Sequence, residues 1–169
     1  MPDNEDLSSS RSALLSGQIF RESRPSDEAA VREIYRQANL VFQSENSATI
    51  KGGAALNETT MSTRLHLCEW NSEVVAVIQW RLILPEAEVL DVAVAQAHRH
   101  RGHASFLLSR FLEFVTKTGV REVFLEVRES NAAAIALYSK FAFGISGRRP
   151  NYYRNPEEAA LLLKRKPTG

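Results

Sequence analysis

The 169-residue sequence predicts a single domain of α/β (α+β) class, and three observations lead there. Segments 64–70, 73–84 and 88–95 are dense in Val, Leu, Ile and Trp or alternate apolar with small and polar residues, as strands do. Other segments place apolar residues three and four apart, the spacing of an amphipathic helix. Val123, Phe124, Leu125 and Val127 form an apolar run of the kind a parallel strand shows when helices cover both its faces.

Taken in order, residues 1–16 hold too few apolar groups to pack and read as a disordered leader, so the domain is expected over 17–166. A short strand at 19–22 leads to Pro25, Ser26 and Asp27, a helix start with Asp27 and Glu28 near the positive end of the dipole. Ala30, Val31, Ile34 and Tyr35 then form one apolar stripe, and this helix ends near Asn39. Residues 44–57 are polar, small and glycine-containing, a loop of the length that carries substrate contacts, and 57–62 reads as a short helix. Strands 64–70 and 73–84 meet at Asn71 and Ser72, which predicts an antiparallel hairpin ended by Pro85. In the next strand Leu90, Val92 and Val94 alternate against Asp91 and small residues. The helix over 102–118 carries Leu108, Phe111, Leu112 and Val115 on one face and stops at Gly119 as a C-cap. The Val123 strand, a helix starting at Asn131 and two late strands, 143–148 and 159–164, complete the chain.

Composition narrows the partners. With 21 basic and 20 acidic residues, a formal charge of +1 offers no global field for nucleic acid or an acidic membrane surface. The longest apolar run, seven residues at 132–138, is far short of the ~20 that span a bilayer. No signal peptide is visible, and the single cysteine, Cys68, excludes an intrachain disulfide, so a cytoplasmic location is expected.

The stretch LEVRESNAAAIALY, 125–138, holds the one residue out of place, Glu126. A carboxylate inside a buried strand is costly unless it is used or paired. Asn131 can cap the three alanines after it, and Ile135, Tyr138 and Phe141 share a helical face. A carboxylate at the carboxyl end of a strand and a phenol on the next helix then face one crevice, where open α/β sheets bind ligands. The alternatives at this point are pairing of Glu126 with Arg128 or Arg99, and a purely structural Tyr138 in the core. A second motif, AQAHRHRGHASF, joins the Leu90 strand to the long helix. Gly102 and Ala104 leave the backbone bare at a helix amino terminus, an anion site, with Arg99, His100, Arg101 and His103 around it. A phosphate-bearing ligand suits it. No carboxylate or cysteine stands at ligand spacing from His98, His100 and His103, so no metal is expected. Cys68 lies inside a strand with no activating His–Asn arrangement.

These residues resemble the GNAT superfamily of acetyl-CoA-dependent N-acetyltransferases: a strand, Arg99-x-x-Gly102-x-Ala104, a helix, a strand and a helix ending in tyrosine. LEVRESNAAAIALY, and RRPNYY at 148–153, are similar to the RimI type, the ribosomal-protein-alanine N-acetyltransferases. The resemblance covers about residues 88–165. It implies a mixed, mostly antiparallel sheet of about six or seven strands, helices on both faces, and a splay between the fourth and fifth strands. By the same resemblance acetyl-CoA is the co-substrate. Its pantetheine pairs with Val92, Ala93 and Val94, its pyrophosphate rests on the turn from His100 through Arg101, Gly102, His103 and Ala104 to Ser105, and Asn131 also contacts it. Glu126 is then the general base and Tyr138 the general acid, and the acceptor is a protein amino terminus, an alanine of a ribosomal protein. The chain departs from the family in two places. Phe141-Ala142-Phe143 replaces a glycine-bearing corner, where a left-handed cap at Ala142 costs roughly 1 kcal/mol relative to Gly and the corner is expected to be rebuilt around Gly144. The acidic-aromatic segment with Pro-Trp that helps bind the acceptor has no counterpart in 40–57.

The implied roles agree with elementary chemistry. An α-ammonium, with a pKa of about 7.7 to 8.0, becomes a nucleophile only on losing a proton, which a carboxylate can take directly or through water. A departing thiolate is helped by a phenol proton, and strand N–H groups between Leu90 and Val94 can polarise the thioester carbonyl. Three functions remain distinguishable: acetylation of an amino-terminal alanine, acetylation of another protein or small-molecule amine, and a silent acyl-CoA-binding module. Retention of both Glu126 and Tyr138 argues against the last.

Overall fold

A computed structural model describes residues 17–40 and 62–166. The expected leader, the 44–57 loop and residues 57–61 of the expected short helix lie outside the described residues, and Ser62 opens a strand instead. In chain order the elements are β1 (Gln18–Glu22), α1 (Glu28–Gln37), β2 (Ser62–Trp70), β3 (Glu73–Ile83), β4 (Glu86–Val94), α2 (His103–Lys117), β5 (Glu122–Arg128), α3 (Ala132–Lys140), β6 (Gly144–Arg154) and β7 (Glu157–Arg165). Short 3-10 turns at Pro25–Asp27 and Gln96–His98 precede α1 and follow β4.

The strands form one seven-stranded sheet in the order β1-β2-β3-β4-β5-β7-β6. Only β4 and β5 run parallel; every other neighbouring pair is antiparallel. The β2–β3 hairpin turns on Asn71 and Ser72, both at positive φ (51° and 63°), the conformation a two-residue turn with the strand's own twist requires. Late strands β6 and β7 are longer than expected because they form a hairpin of their own across residues 154–157.

β3 is buried on both sides from Val75 to Trp80, so the sheet has two covered faces. On one, Val31, Ile34 and Tyr35 of α1 pack against Leu67, Val77 and Ala93. On the other, Leu107, Leu108, Phe111, Leu112 and Val115 of α2 pack with Ile78, Trp80, Ala87 and Val89, and Tyr138 of α3 joins Val123, Leu125, Val127 and Phe143. This apolar burial supplies the main drive for folding, at about 25 cal/mol per Å².

The corner after α3 corrects one expectation. It is not rebuilt around Gly144: Ala142 itself takes φ 60°, and the Phe143 N–H donates to the Tyr138 carbonyl at 3.2 Å, closing the helix as a glycine would. Burial of Phe143 in the core offsets the local strain.

Candidate active site

β4 and β5 are paired only from Glu86↔Glu122 to Val89↔Leu125. Beyond that point β4 continues to Val94 on β3 alone, so its other edge, from Leu90 on, faces β5 without ladder bonds and a cleft opens between the two strands. Val92, Ala93 and Val94 line this edge, and the Arg99 Nε donates to the Val94 carbonyl at 3.3 Å at its far end.

At the end of β4 the chain turns through Gln96–His98 into Gly102, whose φ of 87° precedes the first turn of α2. Phe106 is the first to donate inside the helix, to the Gly102 carbonyl at 2.9 Å. The N–H groups of His103, Ala104 and Ser105 are thus left at the helix start, with no side-chain cap at Gly102. A Cβ at Gly102 would meet nothing within 4 Å, so the turn is an open, positively polarised cradle. Residues and geometry suit the pyrophosphate of acetyl-CoA. The side chains are less uniform than the sequence implied. His100 and Arg101 are exposed, whereas His103 is buried, turned inward against Trp70 and Gln18, so its backbone alone faces the cradle. Arg99 donates to the Gln37 carbonyl at 2.9 Å and ties the turn to the end of α1.

Glu126 lies one residue past the last β4–β5 pair, on the opposite face from Leu125 and Val127 and so on the α1 side of the sheet. Neither Arg128 nor Arg99 pairs with it. Its Oε1 is 2.6 Å from Arg149 Nη1 of β6. Hydrogen bonding to Glu126 also raises the Tyr152 phenol above its ordinary pKa. Tyr138, on α3, is buried edge-on against Phe143 at 5.7 Å. Burial first, then the charge of Asp91 and the neighbouring Tyr153, holds its phenol protonated well above the usual range. Asn131 is the N-cap of α3, accepting from the Ala134 N–H at 3.1 Å, which fixes the strand-to-helix turn between Glu126 and Tyr138.

The residue the sequence reading passed over is Asp91. It stood there as the polar side of an alternating strand, yet it is largely withdrawn from water, and burial pushes its carboxyl up to about 6. A β-bulge sets the face on which it is covered. Val89 pairs with Trp80 but Asp91 pairs with Gln79, so Leu90 is an extra residue that rotates Asp91 onto the face of Gln79 and α1. The signal available was a carboxylate in an otherwise apolar run, the same one that singled out Glu126.

A sequence profile described as the acetyltransferase (GNAT) family matches residues 28–143. The chain belongs to this family. It is 37% identical over 95 residues to the [ribosomal protein bS18]-alanine N-acetyltransferase of Escherichia coli, 55% of this chain and 64% of that protein, so the match spans under two thirds of the relative. The Haemophilus influenzae protein of the same name is 32% identical over 124 residues, 73% of this chain and 80% of that one. Among solved structures, the E. coli ribosomal-protein-S18-alanine N-acetyltransferase superposes with a TM-score of 0.74 at 27% identity, covering 90% and 95% of the two chains. The GNAT fold is shared at lower identity, 19% with a TM-score of 0.73, by Arabidopsis thaliana NAA60 in complex with acetyl-CoA, covering 90% of this chain and 99% of that one. The parallel, diverging β4–β5 pair of this GNAT chain is the splay that the resemblance implied between the fourth and fifth strands. No helix among the described residues is long and apolar enough to cross a membrane, and no group of three or more metal-ligating side chains occurs among them.

Proposed function

We propose that this GNAT chain transfers acetyl from acetyl-CoA to the α-amine of a protein amino terminus, an alanine of a ribosomal protein by analogy with its relatives. One observation supports the reading: Glu126 lies one residue past the last β4–β5 pair, where the two strands part, on the face opposite the one that Tyr138 packs against. Acetyl-CoA would supply the activated acetyl group as a thioester. The open edge at Val92, Ala93 and Val94 would pair with its pantetheine, and the N–H groups from Gly102 to Ser105, with His100 and Arg101 beside them, would hold its pyrophosphate. Asn131, the N-cap of α3, would contact the same ligand.

Within this arrangement Glu126 takes a proton from the acceptor amine, directly or through a water, and Tyr138 donates to the departing sulfur. Its raised pKa keeps that hydrogen in place at every working pH. The acceptor side is bounded by β6, where two extra residues bulge between Arg149 and Tyr153 and set Tyr152 edge-on to Tyr153 at 5.1 Å. Arg128 lies 4.0 Å over the Tyr153 ring, and Arg149 lies over Tyr152, so both phenols are held in place. This wall narrows the approach to Glu126, which favours a terminal amine on a small residue over a lysine that needs a groove open at both ends. The test uses acetyl-CoA and one peptide with Ala first and Lys later, beside the same peptide with its amino terminus blocked, read by mass. One acetyl on the first and none on the second is expected. Acetylation that persists on the blocked peptide would replace the α-amine with a side-chain amine, and no acetylation of any amine would leave only a cofactor-binding module.

A further inference from the structure

We infer that Asp91 is the carboxylate that anchors the acceptor's α-ammonium, holding it beside Glu126 before the proton is removed. The inference rests on the amine-acetylating reading above and adds a residue to it. Three features of the fold point there. First, the bulge at Leu90 turns Asp91 onto the α1 face of the sheet, the face that Glu126 also occupies, and it does so just past the point where β4 leaves β5. Bulges next to active sites commonly serve to re-aim one side chain.

Second, the charge of Asp91 is felt on the core, on the proposed acid and on the proposed acceptor wall. Its charge acts on Tyr35 of α1, on Tyr138 of α3 and on Tyr153 of β6. Tyr153 also feels the charge of Glu126. The Tyr35 hydroxyl donates to Gln79 Oε1 at 2.9 Å, which packs the floor on which Asp91 rests.

Third, Asp91 has no cation among the described residues. Among the described residues every other carboxylate near the crevice is in an ion pair, Glu126 with Arg149, Glu129 with Arg148 and Glu158 with Arg128, whereas no ion pair includes Asp91. A desolvated carboxylate gains most from a cation that arrives dehydrated and close. An α-ammonium is such a cation, and acetylation converts it to a neutral amide. The attraction is therefore present for the substrate and absent for the product, which favours release.

The experiment separates binding from chemistry. An Ala-first peptide is titrated calorimetrically into protein saturated with CoA, which cannot donate acetyl, at pH 7 and pH 5, beside the amino-terminally acetylated peptide. Wild-type affinity for the free amine should fall roughly tenfold at pH 5, as Asp91 gains its proton. Asp91→Asn should bind about tenfold more weakly at pH 7 and show no pH response. The phenols that feel the charge of Asp91, Tyr35, Tyr138 and Tyr153, are all held above their ordinary values and stay neutral over this range. Glu126, paired with Arg149, is the remaining charged pair, and Glu126→Gln should keep the pH response. The acetylated peptide should bind wild type and Asp91→Asn alike. Wild-type affinity in a folded Asp91→Asn, a response that vanishes with Glu126→Gln, or equal binding of free and acetylated peptides by the wild type overturns the anchor. The last comparison needs no variant. A wild-type protein that acetylates no amine removes the underlying function and the anchor with it, whereas an active wild type matched in affinity by Asp91→Asn removes the anchor alone.

Discussion

Arg149 Nη1 lies 2.6 Å from Glu126 Oε1, so a side chain of β6 reaches across β7 to hold the proposed base. The arginine is 56% exposed and the glutamate 18%, and an ion pair with one partner so open is worth about 0–1 kcal/mol. An entering amine therefore displaces the guanidinium easily. Glu126→Gln keeps the shape and removes the charge, so turnover should fall by about 10² to 10⁴ while acetyl-CoA binding stays nearly intact. Steady-state rates beside a cofactor-induced melting shift check this. Unchanged turnover would make Glu126 a structural partner of Arg149.

The Gly102 cradle makes a separate claim. Acetyl-CoA at micromolar-range affinity should raise the melting temperature of the wild type. Gly102→Ala adds only the left-handed strain at φ 87°, about 1 kcal/mol, because open space surrounds the position. Gly102→Asp adds a negative charge where the pyrophosphate would lie. The melting shift should survive in the alanine variant and vanish in the aspartate variant; equal shifts in both would move the phosphate elsewhere.

How much of this could be read beforehand depended on whether the cause was local. Helix α2 was legible because Leu108, Phe111, Leu112 and Val115 state its buried face and Gly119, at φ 83°, its end. Asn71 and Ser72 announced their turn in the same way. Glu126 was legible as a charge in an apolar strand, but its partner was not, since Arg149 reaches it only through the β5-β7-β6 strand order. Asp91 was missed although its face, opposite Val92 and Val94, was read correctly: nothing in the strand's own alternation says that this face lies on the side of the sheet that α1 covers. His103 was read as a chargeable group beside the cradle, and its side chain is buried instead, because a helix's first turn gives no sign of which side chains fold under it. Nothing in the local sequence marks Gln18 and Trp70 as its neighbours.

Away from the cleft, Arg21 links β1 to α1. Its guanidinium donates to both Asp27 oxygens, at 2.7 and 2.8 Å, and to Glu69 at 2.8 Å. Hydrogen bonding by Arg21, helped by the Arg24 N–H and opposed by burial, lowers the Asp27 carboxyl to about 2. A lowered native pKa gives stability that is present above the unfolded value, near 4, and is lost as pH falls through about 2. Asp27→Asn should cost about 1–3 kcal/mol at neutral pH by leaving Arg21 underpaired, and should flatten the acid limb of the wild type. Urea melts at pH 7 and pH 3 measure both effects. A variant that keeps the wild-type slope would place the acid sensitivity elsewhere.

Asp91 should behave in the opposite sense. Its native carboxyl is raised to about 6 from a model-peptide value near 3.8, so the folded state binds this proton more tightly than the unfolded chain does. The favourable contribution is fully present below about 4 and is lost as pH rises through about 6. Above that the desolvated charge is a burden, on the order of 3 kcal/mol. Asp91→Asn removes the charge and keeps the size. It should leave stability nearly unchanged at pH 4 and raise it by about 1–2 kcal/mol at pH 8. The same substitution is expected to weaken acceptor binding, so stability and affinity should move in opposite directions at neutral pH, the trade-off of a group retained for function rather than for the fold. Denaturant titrations of wild type and variant from pH 4 to pH 8 provide the comparison. A variant less stable than the wild type at pH 8 would show that Asp91 holds a structural partner in its charged form, and would end the case for it as a reserved binding charge.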